Sequence, residues 1–194
     1  MSRKSGLAAN ACAAGLLLHV PAHAAPTVID ARSAAIHPVA NQVSMQAWLA
    51  RVPLTKDFPA DFTQTLAGHG PAFVIEMSTA PGCIPCGDLW SKLTVLGRRY
   101  GWQVRTIGPD EAAVMSGRMG LPWVGYPVAW VRPRADPGRI VPIAVGTDHP
   151  VNIARNLYLS AKMLTGVRPA VAVRAMAKFT GIVGLPSRSS GTRR

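Results

Sequence analysis

Apolar residues fall into short, well-separated groups along the chain, and their spacing sorts them into elements. The stretch AFVIEMS at 72–78 is rich in strand formers and nearly continuous in apolar character, the pattern of a strand buried on both faces. From Ile84 to Tyr100, Leu89, Leu93, Leu96 and Tyr100 recur at helical spacing, with Lys92, Arg98 and Arg99 on the remaining surface and Gly101 as a stop. Trp102 to Ile107 reads as the next strand. Pro109, Asp110 and Glu111 then open a short helix, proline and acids both suiting a first turn. A tight loop from Gly120 to Pro127 leads into a strand at Val128 to Val131, and the turn residues from Pro133 to Gly138 join it to an antiparallel partner, Ile140 to Val145. His149 and Pro150 start a helix that runs to about Leu164, with Ile153, Leu157 and Leu164 facing inward.

On either side of this block the pattern weakens. Residues 25–42 read as irregular, followed by a helix from Ser44 to Arg51 with Ser44 as its N-cap, and a second from Ala60 to Leu66 that a glycine cluster at 68–71 interrupts. Residues 168–183 have the spacing of a basic amphipathic helix, and Ser187 to Arg194 reads as a disordered tail. The central order is strand, helix, strand, helix, strand, strand, helix. That order predicts an α/β fold: a central mixed four-stranded sheet with a parallel βαβ pair, an antiparallel hairpin, and helices on its faces.

The N-terminus changes the picture of where the protein works. Met1 to Lys4 is a basic head, Gly6 to Val20 a short apolar run, and Ala22 and Ala24 form a small-x-small pattern. These are the parts of a secretory signal peptide, cut near Ala24, so the mature protein is expected to be periplasmic or secreted. Retained as an anchor, the run would be too short to span a bilayer comfortably. Cys12 would leave with the leader. The expected division is therefore 1–24 signal peptide, 25–69 N-terminal extension with short helices, 70–165 the α/β domain and 166–194 a basic C-terminal extension. A chain of 194 residues suits one such domain, and 48% hydrophobic content with five tryptophans suits a packed one.

The formal charge is +12, and loss of Arg3 and Lys4 with the leader leaves about +10. No acidic residue follows Asp148, whereas Arg155, Lys162, Arg168, Arg174, Lys178, Arg188, Arg193 and Arg194 all do. The C-terminal part is thus either a solvated basic face or a contact for anionic lipid or an acidic protein. Nucleic acid is not expected, because aromatic residues do not interleave with the charges and the protein is exported.

The chemistry concentrates in MSTAPGCIPCGDLW, residues 77–90, which holds the two cysteines expected in the mature chain. Their spacing fits a redox couple, half of a metal site or an inert staple. Cys83 stands at the mouth of a helix, where free N–H groups and the helix dipole favour a thiolate and lower its pKa. Cys86, one turn inside, is placed to resolve a mixed disulfide formed at Cys83, and Pro85 between them has no N–H to lose there. A zinc site would need two further ligands, and His69 and His149 have no partner at ligand spacing, so no metal is expected. No glycine-rich phosphate loop, paired acids or serine–histidine motif implies a cofactor.

The stretch FVIEMSTAPGCIPC, taken with VGYPVAWV further on, resembles the thioredoxin superfamily: a strand leading to a redox motif, then a loop with a proline just before the third core strand. The resemblance covers roughly residues 70–165 and implies a thioredoxin-like fold and thiol–disulfide oxidoreductase activity of the Dsb or cytochrome c maturation type. On it, Cys83 is the nucleophile, Cys86 the resolving thiol, and the two form a redox disulfide. Pro127 is then a cis-proline beside Cys83, Tyr126 offers backbone groups to an extended peptide, and Trp123 joins Tyr126 in an apolar rim. Glu76 corresponds to the family's buried acid, one residue farther from the first cysteine than usual: either burial raises its pKa and it takes a proton from Cys86, or it is a strand-end carboxylate that reaches solvent. The implied partners are thiols or disulfides of envelope proteins and a membrane redox partner. The chain departs from thioredoxins proper in carrying Gly82 where they have tryptophan and Ile84-Pro85 where they have glycine-proline. The alternative expectation is a thioredoxin-fold accessory module of a secretion or conjugation apparatus, with a structural disulfide.

Overall fold

In the computed structural model the described residues are 36–118, 125–166 and 179–185. They form β1 (His37–Val39), α1 (Gln42–Leu49), α2 (Phe62–His69), β2 (Phe73–Ser78), α3 (Ile84–Tyr100), β3 (Gln103–Ile107), α4 (Pro109–Arg118), β4 (Val128–Pro133), β5 (Val141–Val145), α5 (Pro150–Leu164) and β6 (Ile182–Gly184). The main sheet has the order β3-β2-β4-β5. β2 and β3 are parallel across the α3 crossover, and β2, β4 and β5 are successively antiparallel. The fold is therefore α/β, with the mixed four-stranded sheet and flanking helices that the element order predicts.

Every residue of β2 is buried, which explains its unbroken apolar run. Ile75 and Met77 face Leu89 and Leu93 of α3 and Ile153 and Leu157 of α5 in the main core. The opposite face of the sheet packs Val128, Trp130 and Val145 against Ala112 and Met115 of α4. Strand alternation sends Val74, Glu76 and Ser78 toward that second face.

The N-terminal segment packs onto this core. Leu66 of α2 is fully buried in it, and the Trp102 indole N–H donates to the Leu66 carbonyl at 2.7 Å. Asp61 accepts from the Tyr158 hydroxyl and from Lys162, tying the start of α2 to α5. Asn152 of α5 bonds the Pro53 carbonyl and the Thr55 N–H, which fastens the linker between α1 and α2.

Three expectations change at the flanks. α1 begins at Gln42 rather than Ser44, because Asn41 is the cap and its side chain accepts from the Ser44 N–H at 2.8 Å. α2 continues through Gly68 to His69, and the glycine cluster forms a 3-10 turn, Gly70–Ala72, instead of a break. The end of the expected helix over 168–183 is the strand β6, which pairs in parallel with β1, from a stretch expected to be irregular. Val39, Met45, Leu49 and Ile182 make a small third core there, with Ile84 packed against it. The leader at 1–24, Cys12, residues 168–178 and the tail at 187–194 lie outside the described residues. Among the described residues no helix is long and apolar enough to cross a membrane.

Candidate active site

Cys83 caps α3: its backbone is extended, and its sulfur accepts from the Cys86 N–H at 3.2 Å. Pro85 lies in the first turn, where a missing N–H costs no helical bond, and that turn holds no acidic side chain. Cys83 and Cys86 form a disulfide with their Cα atoms 5.3 Å apart. Cys86 is buried at 3% exposure, whereas Cys83 is half-buried, so an incoming sulfur reaches Cys83 first. A groove of about 450 Å³ opens beside the pair, lined among others by Met77, Thr79, Ala80, Trp90 and Thr106. Its walls are mostly apolar.

The Tyr126–Pro127 peptide bond is cis. Pro127 is buried and its carbonyl accepts from the Gly146 N–H at 2.8 Å, while the Ser78 hydroxyl accepts from the Val128 N–H at 2.8 Å. These two bonds fix the loop at the end of β2, from which the chain runs to Cys83. The Tyr126 carbonyl accepts from the Gly184 N–H at 2.8 Å, and Gly184 lies against Cys83. Gly184 thus bridges the proline loop and the cysteine pair. Desolvation first, and then the charge of Asp110, push the Tyr126 hydroxyl above its ordinary pKa. Trp123 lies outside the described residues.

Glu76 stands apart from the cysteines. It is fully buried, on the sheet face away from the one where Met77 packs with Cys86 of α3. Arg105 lies directly opposite it on β3 and donates through Nε at 2.8 Å, Arg132 reaches it from β4, and the Trp130 indole N–H donates at 2.8 Å. Burial alone pushes its pKa up, but the hydrogen bonds from Arg132, Arg105 and Trp130 outweigh burial and hold it below the ordinary value. That direction corrects the expectation of a raised pKa: Glu76 is a carboxylate held ionised by two guanidinium groups.

His69 packs edge-on against Phe73, and His149 places Nε2 3.0 Å from the Leu49 carbonyl. Among the described residues no group of three His, Cys, Asp or Glu side chains is arranged to hold a metal ion. The residues sequence reasoning missed are Gly184, which touches Cys83, and Arg105 and Arg132, which neutralise Glu76. The only local signal for β6 was the short apolar pair Ile182-Val183 between two glycines. Compared with family models, characterised proteins and solved structures, the chain matches none.

Proposed function

We propose that the protein is an exported, thioredoxin-like thiol–disulfide oxidoreductase acting on the thiols and disulfides of envelope proteins. The observation that carries this reading is the Cys83–Cys86 disulfide at the N-terminus of α3, with the more exposed cysteine outermost and the Tyr126–Pro127 loop joined to it through Gly184. In the reducing direction the Cys83 thiolate attacks a partner disulfide, forming a Cys83–partner bond and expelling one partner thiolate. The Cys86 thiolate then attacks the Cys83 sulfur, the protein disulfide forms, and the second partner thiol leaves. One protein dithiol and one partner disulfide become one protein disulfide and two partner thiols. The oxidising direction is the reverse. The helix N-terminus and the Cys86 N–H stabilise the thiolate of Cys83 in both.

The test is the equilibrium reduction potential of the pair, titrated against glutathione or dithiothreitol. A value between about −270 and −120 mV, the range of catalytic couples, is expected. A value below about −300 mV marks a structural bond. In that case the second reading takes over, an accessory module of an envelope machine, which the covering of Cys83 by the chain's own strand favours. A second assay assigns roles. Cys83→Ser is expected to abolish exchange, and Cys86→Ser to accumulate the mixed disulfide, seen by mass.

A further inference from the structure

Gly184 is far from the cysteines in sequence and touches them in the fold. A Cβ built on it would lie 3.0 Å from Cys83 Sγ and 3.3 Å from Cys83 Cβ, so only a glycine fits without something moving. Its N–H occupies the Tyr126 carbonyl. The strand behind it is anchored differently from its tip. The Gly181 N–H donates to Val145 at 2.9 Å, and the Thr147 N–H donates to Ile182 at 3.1 Å. Ile182 is fully buried, and a Cβ on Gly146 would lie 2.4 Å from its nitrogen. At the other end Gly184 is buried and paired with Val39 at the end of β1, while Leu185 beyond it is exposed and has left the strand.

We propose that the Gly184–Leu185 tip is a resident occupant of the Tyr126 edge, on which the redox reading seats an extended polypeptide carrying the reacting cysteine, and that it is displaced when that partner binds. The proposal rests on the redox reading above. The geometry of the tip supports it directly. A backbone that touches Cys83 from this side reaches the Tyr126 carbonyl, because the chain's own backbone does both. A partner polypeptide delivering a sulfur here needs the same place. A small disulfide does not, since the groove beside Met77, Trp90 and Thr106 leaves the cysteine pair open to it. The tip therefore discriminates by size: it screens Cys83 from polypeptides and leaves it reactive toward small disulfides. Ile182 remains in the third core throughout, so the movement is confined to the last residues of β6.

The test uses the reduced, purified chain and two probes with the same leaving group: hydroxyethyl disulfide, and a short unstructured peptide whose single cysteine is in mixed disulfide with mercaptoethanol. The readout is the ratio of the peptide rate to the small-disulfide rate. Gly184→Pro removes the N–H that holds Tyr126 but also sets a Cβ against Cys83, which acts on both probes and is divided out in the ratio. A chain ending at Val183 removes the tip while keeping the buried Ile182 and Val183. Both are expected to raise the ratio by at least about threefold to tenfold, the effect of giving up one backbone hydrogen bond. An unchanged or lower ratio in variants that still react with hydroxyethyl disulfide overturns the proposal. If neither variant folds, Cys86→Ser in the otherwise complete chain decides. Joined to the peptide, the Gly184 amide is expected to lose hydrogen-exchange protection that it keeps when Cys83 is joined to mercaptoethanol alone. Protection retained in both adducts overturns the proposal. Failure of the complete, reduced chain to react with hydroxyethyl disulfide overturns the redox reading itself, on a separate measurement.

Discussion

At the scale of single residues, Glu76 is where burial and charge compete most openly. Its carboxylate is fully buried, yet two arginines and an indole hold it ionised. Replacing it with glutamine keeps the shape and removes the charge, leaving two guanidinium groups facing a neutral amide. Breaking a fully buried pair in this way costs about 3–5 kcal/mol. Arg105 is 42% exposed, so solvent screens part of the loss, and a cost of about 2–3 kcal/mol is expected for Glu76→Gln. The pH dependence has a definite sign. The folded pKa lies below the ordinary value of 4.5, so the stabilisation is complete above that value and disappears as pH falls through the folded pKa. Urea midpoints of the two proteins should differ by a constant amount from pH 6 to 8 and converge below about pH 4.5. A gap that persists in acid would mean that packing, not charge, is responsible. The same variant tests the proton-transfer role: resolution of the mixed disulfide at Cys83 is expected to be unslowed, since Glu76 faces away from Cys86.

At the scale of elements, what the sequence makes legible follows from how local each signal is. Both ends of α3 are readable because Pro85 and Gly101 sit at its start and stop, and the apolar spacing between them serves one core. The parallel β2–β3 pair and the antiparallel β4–β5 pair are readable because the α3 crossover and the turn after Pro133 dictate them, whereas the β2–β4 pairing that joins the two halves has no local signal. β6 is not readable in this way. Its partner β1 lies near the other end of the chain, both strands have three residues, and the preceding basic stretch carries helical spacing. The partners of Glu76 are hidden for a related reason: Arg105 and Arg132 look like surface charges until strand register brings them together. A mutation measures how much β6 contributes. Ile182 is fully buried against Val39, Met45 and Leu49, so Ile182→Ala should cost about 2–5 kcal/mol, read as a lower urea midpoint at unchanged slope. A loss below about 0.5 kcal/mol would show that the β1–β6 pair is not part of the cooperative unit.

At the scale of the whole molecule, the question is whether the fold depends on the Cys83–Cys86 bond or merely contains it. The two cysteines are three residues apart in sequence. Closing so short a loop removes little chain entropy, and the entropic model gives about 2 kcal/mol or less. The cores on both faces of the sheet are complete without the bond, since Leu66, Ile75, Leu89, Trp130 and Leu157 are buried by apolar neighbours. The reduced protein should therefore stay folded. Its melting temperature should lie within about 8 °C of the oxidised form, given roughly 2–4 °C per kcal/mol for a chain of this size. Unfolding on reduction would contradict this balance and favour the structural-bond reading. The sign of the shift carries further information, because folding and reduction form one thermodynamic cycle. A reduced form that melts higher means that folding favours the dithiol, so the couple is more oxidising than an unfolded pair and draws electrons from its partners. An oxidised form that melts higher means the opposite, a couple more reducing than an unfolded pair, and the measured potential then separates a reductant from a structural bond.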